Sequence, residues 1–212
     1  TGVIGEPLDA GAIAAAVPAL THRLTAAGLA DAGRAILTTD TFPKAASAVA
    51  AIDGVEIRLT GIAKGSGMIA PDLATMLAFV VTDADLDGRV LQPLLARAAE
   101  RSFQCITVDG DSSTSDTVLL LASRRAGNAA VRAADDPRLA DFARALETVC
   151  RRLAQLVVRD GEGAQKFVEI AIPGAVDAAS ARRAGLAVAN SPLVKTAIAG
   201  GDANWGRVVM AL

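Results

Sequence analysis

Leu139, Phe142, Leu146, Val149, Leu153 and Leu156 recur at helical spacing and predict one long amphipathic helix, ending at the polar turn Asp160-Gly161-Glu162-Gly163. Ile13, Val17, Leu20 and Leu24 repeat the pattern in an earlier helix that starts near Glu6-Pro7-Leu8-Asp9 and stops at Gly28. Val90, Leu94 and Leu95 predict a third helix over Val90–Ala99, and Asp177–Ile198 reads as helical with a break at Asn190-Ser191-Pro192. Short apolar or alternating runs predict strands at Arg34–Leu37, Val55–Leu59, Met76–Val81, Ser102–Asp111 (strand and turn), Thr117–Ala122, Phe167–Ile172 and Arg207–Leu212. Gly127–Asp136 is a polar, small-residue linker, and no repeat of 20 to 50 residues is present. Strands and helices mix without strict alternation, so the fold class is α+β, with sheet packed on helices in layers.

Composition narrows the function. Of 212 residues 52% are hydrophobic and 21% charged, with a net charge of −2, which describes a globular chain with a real core. Basic residues are dispersed and aromatics make up 3%, so a nucleic-acid partner is not expected. No apolar run reaches membrane-spanning length, and nothing at the start resembles a signal peptide. Cys105 and Cys150 fit reduced core residues of a cytoplasmic protein. The single histidine, His22, lies in a helical surface pattern far from any Ser or Cys motif, and no set of zinc ligands is spaced for binding. Chemistry must then come from hydroxyls, backbone amides, lysines and carboxylates.

Lys64–Ala84, KGSGMIAPDLATMLAFVVTDA, is where such chemistry is best placed. A Gly/Ser-rich loop meets an apolar strand at Ala74-Thr75, a junction that can strain a peptide bond and fix a hydroxyl. A threonine there could break its own amide by an N-to-O acyl shift, and the freed α-amine would then activate the same hydroxyl. The plain alternative is an ordinary strand-start threonine. Lys64, flanked by glycines, is either a solvated loop lysine or an ammonium that grips a substrate carboxylate. The segment is not a P-loop, since no G-x-x-x-x-G-K-[ST] runs through it. Asp83–Arg89 lacks the ligand pattern of an EF-hand and reads as a turn and helix cap. Thr38-Thr39-Asp40-Thr41 are turn-makers on their face, and Glu162 is an exposed turn residue unless its turn faces a pocket. Thr1-Gly2 can present donors to an oxyanion, although a free Thr1 would itself be a candidate nucleophile.

Four stretches, the one around Thr75 together with ITVDGDSSTSD (Ile106–Asp116), DGEGAQKF (Asp160–Phe167) and ANSPLVKTAIAGGDANWGR (Ala189–Arg207), closely resemble the ornithine acetyltransferase, or glutamate N-acetyltransferase, family. The resemblance covers nearly the whole chain. It implies a layered αββα fold and self-cleavage between Ala74 and Thr75, so that residues 1–74 belong to an α chain and 75–212 to a β chain. It implies Thr75 as acyl-carrying nucleophile, Thr1 and Gly2 as oxyanion hole, and Thr41, Lys64, Thr75 and Glu162 as substrate contacts, with Thr38 and Thr39 as near rivals of Thr41. The implied reaction moves acetyl from N-acetylornithine to glutamate in cytoplasmic arginine biosynthesis, in an α2β2 assembly, without metal or cofactor; some relatives also accept acetyl-CoA. An N-terminal lobe and the C-terminal residues that complete the family's pocket are expected to lie outside these 212 residues. Gln165 and Ala203 replace the usual Thr and Pro. Two other readings stay open: a self-processed amide hydrolase akin to the β-aminopeptidases, and a catalytically silent binding subunit.

Overall fold

The computed structural model describes residues 5–25, 27–69, 76–111, 113 and 115–212. Asp9 caps helix α1 (Ala10–His22) by accepting from the Gly11 and Ala12 amides, which satisfies N–H groups the helix cannot pair internally. The expected apolar stripe forms, but Ile13, Val17 and Leu20 are exposed and none of α1 is buried. The helix ends at His22, an exposed residue as expected, rather than continuing to Gly28.

Gly28 instead opens helix α2 (Gly28–Ala35), which overturns the strand expected at Arg34–Leu37. Its alanines and the Asp31–Arg34 pair one turn apart favour helix, and Gly33 lets it approach β2, where a Cβ would meet Ile62 at 3.4 Å. Strands β1 (Lys44–Ile52) and β2 (Val55–Lys64) follow as an antiparallel hairpin. Asp53 and Gly54 form its two-residue turn, both at positive φ (51° and 79°), which is the geometry that matches strand twist. β1 is alanine-rich, so no β-propensity in the sequence announces it; pairing with β2 overrides local preference.

Strand β3 (Leu77–Thr82) pairs antiparallel with β2, and helix α3 (Gly88–Glu100), capped by Asp87, leads back to β4 (Thr117–Ala122), parallel to β3. The sheet order is β1-β2-β3-β4. Helix α4 (Ala140–Arg159) lies across β1 and β2 and also touches α3. Phe142, Leu146, Val149 and Leu153 are fully buried on the face expected from the sequence, each contributing about 1.5–3 kcal/mol relative to exposure. The α+β layering is thus a four-stranded sheet with a helix layer on one face, while Val49, Leu119 and Leu121 of the other face are exposed.

Helices α5 (Ala178–Asn190) and α6 (Pro192–Ala199) bracket the expected break, where Ser191 caps α6 ahead of Pro192. Three expected strands are absent. Ser102–Asp111 holds a 3-10 turn at Phe103–Cys105 followed by irregular chain, which leaves Cys105 exposed while Cys150 is buried; both are free thiols. Phe167–Ile172 carries the alternation of a strand but has no ladder partner among the described residues. The third, Arg207–Leu212, gives way to helix α7 (Trp205–Met210), started by Asn204, whose side chain accepts from the Arg207 amide. No described helix is long and apolar enough to cross a membrane.

Packing is tight where β2 meets α4. A Cβ on Gly61 would lie 2.8 Å from Leu153 Cδ1 and 3.1 Å from Val149 Cγ1. Gly61→Val is expected to cost about 1–3 kcal/mol in urea unfolding through overpacking; an unchanged midpoint would contradict this interface.

Candidate functional site

Three chain segments meet at the C-terminal end of α4, and a buried lysine joins them. Lys44 opens β1 with its side chain on the core face, fully shielded from solvent. Its Nζ donates to Asp40 Oδ1 and to Asp160 Oδ2, both at 2.6 Å, and sits 4.8 Å from the centre of the Phe42 ring. Asp40 Oδ1 also accepts from the Gly65 amide at 2.7 Å, and Oδ2 from the Thr38 amide at 3.1 Å. Asp160 accepts from both donors of Thr41, the amide at 2.9 Å and the hydroxyl in a short bond. Burial alone would push the Asp40 carboxyl up, but the bonds from Gly65, Lys44 and Thr38 hold it below the usual carboxylate range. Asp160 behaves alike, with burial outweighed by Lys44 and the two Thr41 donors. Both carboxylates are therefore ionised at neutral pH, as a shared ammonium requires.

The same segments carry the exposed groups above this network. Thr39 Oγ1 and Ser66 Oγ are 2.8 Å apart, and the Glu162 amide donates to the Ser66 carbonyl at 2.8 Å. Gly67 leaves room for the Glu162 side chain, since a Cβ there would fall 2.7 Å from its carboxyl carbon. The result is an open cavity of about 380 Å³ between Thr39, Thr41, Ser66, Asp160 and Glu162. Helix and turn chemistry explain the placement: α4 ends at Asp160, and the glycines on either side of Glu162 allow the turn, Gly163 at φ 70°.

Beside it, Lys64 ends β2 in register with Leu77 of β3 and Thr117 of β4, so three strands finish in one row. Lys64 is 2% exposed, and among the described residues its ammonium makes one hydrogen bond, a long one of 3.4 Å to Thr38 Oγ1. Burial pulls its pKa down, the nearby Asp40 and Asp116 charges push it back up, and Lys44 lowers it further. Asp116, just ahead of β4, accepts from the Met76 amide at 2.6 Å, while its Oδ2 is buried with no hydrogen-bond partner among the described residues. Burial raises this carboxyl to about 6, against the lowering effect of Met76 and Lys64. Asp109 meanwhile accepts from the Met68 and Ile69 amides at 2.6 and 3.0 Å, holding Met68 at φ 56°, a conformation costly for a side chain of its size.

Of the residues named from the sequence, Thr39, Thr41 and Glu162 line one cavity, while Thr38, next in sequence to Thr39, contacts Lys64. Thr41 spends its hydroxyl proton on Asp160, so only its oxygen lone pairs remain for a ligand. Thr1, Gly2, Ala74 and Thr75 lie outside the described residues. Lys44, Asp160 and Asp116 were not singled out by the sequence. A lysine opening an alternating, otherwise apolar strand face was the one available signal for Lys44, while Asp116 emerges only once β4 pairs with β3.

Asp116→Asn keeps an oxygen for the Met76 amide and removes the charge. Because the folded-state pKa is raised, the wild type is relieved of the penalty below about pH 4 and acquires it as pH rises through about 6. Urea midpoints should therefore show the variant gaining on the wild type between pH 4 and pH 8; a gap independent of pH would contradict the burial of this carboxyl.

The ArgJ family profile matches residues 1–212. The chain is 57% identical over its full 212 residues to a Caulobacter vibrioides protein named arginine biosynthesis bifunctional protein ArgJ, and 58% identical to the protein of that name from Gluconobacter oxydans. It covers 53% and 50% of those two proteins, about half the length of the curated relatives it matches. Among solved structures, Bacillus halodurans ArgJ superposes with a TM-score of 0.62 at 44% identity, covering 65% of this chain and 64% of that one. A profile matched from the first residue to the last, with a solved relative at 44% identity, shows that this chain belongs to the ArgJ family.

Proposed function

We propose that the protein transfers acetyl from N-acetylornithine to glutamate in arginine biosynthesis, through an acetyl-threonine on Thr75. The observation that carries this reading is Lys64, a buried ammonium with no carboxylate in ion-pair distance among the described residues. An uncompensated buried cation is costly, and an anion supplied by the ligand removes that cost. An amino-acid α-carboxylate fits, with the carboxylate of Glu162 across Thr38–Thr41 available for an ammonium.

Self-cleavage between Ala74 and Thr75 would place residues 1–74 in an α chain and 75–212 in a β chain and free the Thr75 amine. That amine takes the Thr75 hydroxyl proton as the oxygen attacks the acetyl carbonyl, and Thr1 and Gly2 donate to the oxyanion. Collapse breaks the amide C–N bond, the proton passes to the leaving nitrogen, and ornithine departs. Glutamate then attacks the acetyl ester with its neutral amine and leaves as N-acetylglutamate, restoring the hydroxyl. Donor and acceptor share an α-carboxylate, so one site serves both in a ping-pong cycle. The motif around Thr75 and the family membership support this assignment, as they support an α2β2 assembly in the cytoplasm; no cofactor is required, and acetyl-CoA is a conceivable second donor.

Two measurements test it. Under denaturing conditions the full gene product should resolve into two masses, the second beginning at Thr75, whereas Thr75→Ala should remain whole; a wild type that stays uncut after long incubation would remove the amine base and the mechanism with it. Lys64→Met should raise the KM for both amino acids roughly 10- to 100-fold, the loss expected for a charge-assisted contact of about 1.5–3 kcal/mol. Acetate release that is indifferent to glutamate would point instead to hydrolysis.

A further inference from the structure

We propose that Asp40, Lys44 and Asp160 act as one ionic positioning device that couples the threonine loop, the Lys64-Gly65 corner and the Gly161-Glu162 turn, and so sets the affinity of the site. The part about affinity rests on the function proposed above; the coupling does not.

Lys44 stands at the start of β1, Asp40 in the preceding loop and Asp160 at the end of α4, 116 residues further along. Each aspartate has a separate set of clients. Asp40 holds the Gly65 and Thr38 amides, and Asp160 holds both donors of Thr41. They share no protein donor except Lys44 Nζ, which touches both at 2.6 Å with all three side chains almost wholly buried. Two carboxylates facing one ammonium leave a net negative charge in a shielded place. Stability alone is better served by apolar packing, since buried ion groups often contribute nothing or less than hydrophobic replacements of equal volume. Registry is what such a group does better: every donor and acceptor has a direction, and moving one segment breaks bonds in the others.

Each client borders the site. Thr41 lines the cavity, Gly65 follows Lys64, and Asp160 is two residues from Glu162, whose amide returns to Ser66 beside Gly65. The ammonium of Lys44 touches none of the exposed groups, so it is a positioning residue. Its effect reaches the ligand only through Thr41, Lys64 and Glu162.

The test is amide hydrogen exchange and steady-state kinetics on the full gene product carrying Asp160→Asn. Exchange should quicken at Thr41, which Asp160 touches, and also at Gly65, which it does not touch, while the buried α4 amide of Leu153 keeps its protection. KM for glutamate should rise by about the same factor as in Glu162→Gln, with kcat within about twofold of wild type, and the double variant should be no worse than the singles. Faster exchange at Thr41 alone would overturn the coupling. Unchanged KM in Asp160→Asn beside a raised KM in Glu162→Gln would overturn the control of affinity. Unchanged KM in Glu162→Gln itself would sink the substrate role of that residue and leave the exchange result to decide the coupling. Should Asp160→Asn fail to fold, Thr41→Val cuts the Asp160 hydroxyl bond at an exposed residue, and Gly65 must still exchange faster for the device to stand.

Discussion

The position of a single ammonium, Lys44 Nζ, decides how the ends of β1, β2 and α4 meet. Breaking a buried pair of this kind by removing one partner typically costs about 3–5 kcal/mol, because the charges left behind cannot be hydrated. Here the remainder would be two carboxylates, each still bonded to backbone amides that depend on it. The helix and the hairpin also meet through the packing of α4 on β1 and β2, and the cation ties the threonine loop into their corner.

The sheet supplies the second constraint. Lys64, Leu77 and Thr117 share a row, which brings the ends of β2, β3 and β4 together with the half-buried carboxyl of Asp116 just ahead of β4. The Met76 amide already donates to Asp116, and the Thr117 amide donates to the Met76 carbonyl. Residue 76 is thereby fixed from both sides. The entry to β3 is thus held by a carboxylate and by pairing with β4 rather than by a flexible loop.

How far the residues could be read in advance depended on whether their roles are local. The long helix was legible because its burial follows a 3.6-residue period, and so were β4 and the Ser191-Pro192 helix start. Alanine-rich β1 was not, since its strand state is imposed by β2, and Arg34–Leu37 looked extended only until Gly33 was seen packed on Ile62. Phe167–Ile172 shows the converse: alternation is visible in the sequence, yet a strand needs a partner, and the described residues offer none. At the site, the exposed Thr41 and Glu162 and the buried Lys64 were named from motif resemblance. Lys44, Asp160 and Asp116 work through contacts spanning 40 or more residues, 116 of them between Lys44 and Asp160, and no sequence window contains such pairs.

The account stands on an acetyl group carried by one hydroxyl. The direct measurement is tandem mass spectrometry of the protein incubated with N-acetylornithine and no glutamate, then quenched in acid. The account predicts one added acetyl on the peptide that begins at Thr75, located on the side-chain oxygen, lost on addition of glutamate and absent when N-acetylornithine is left out. Ornithine release with no acetylated Thr75 at any time point, or an acetyl group that glutamate does not remove, would contradict it.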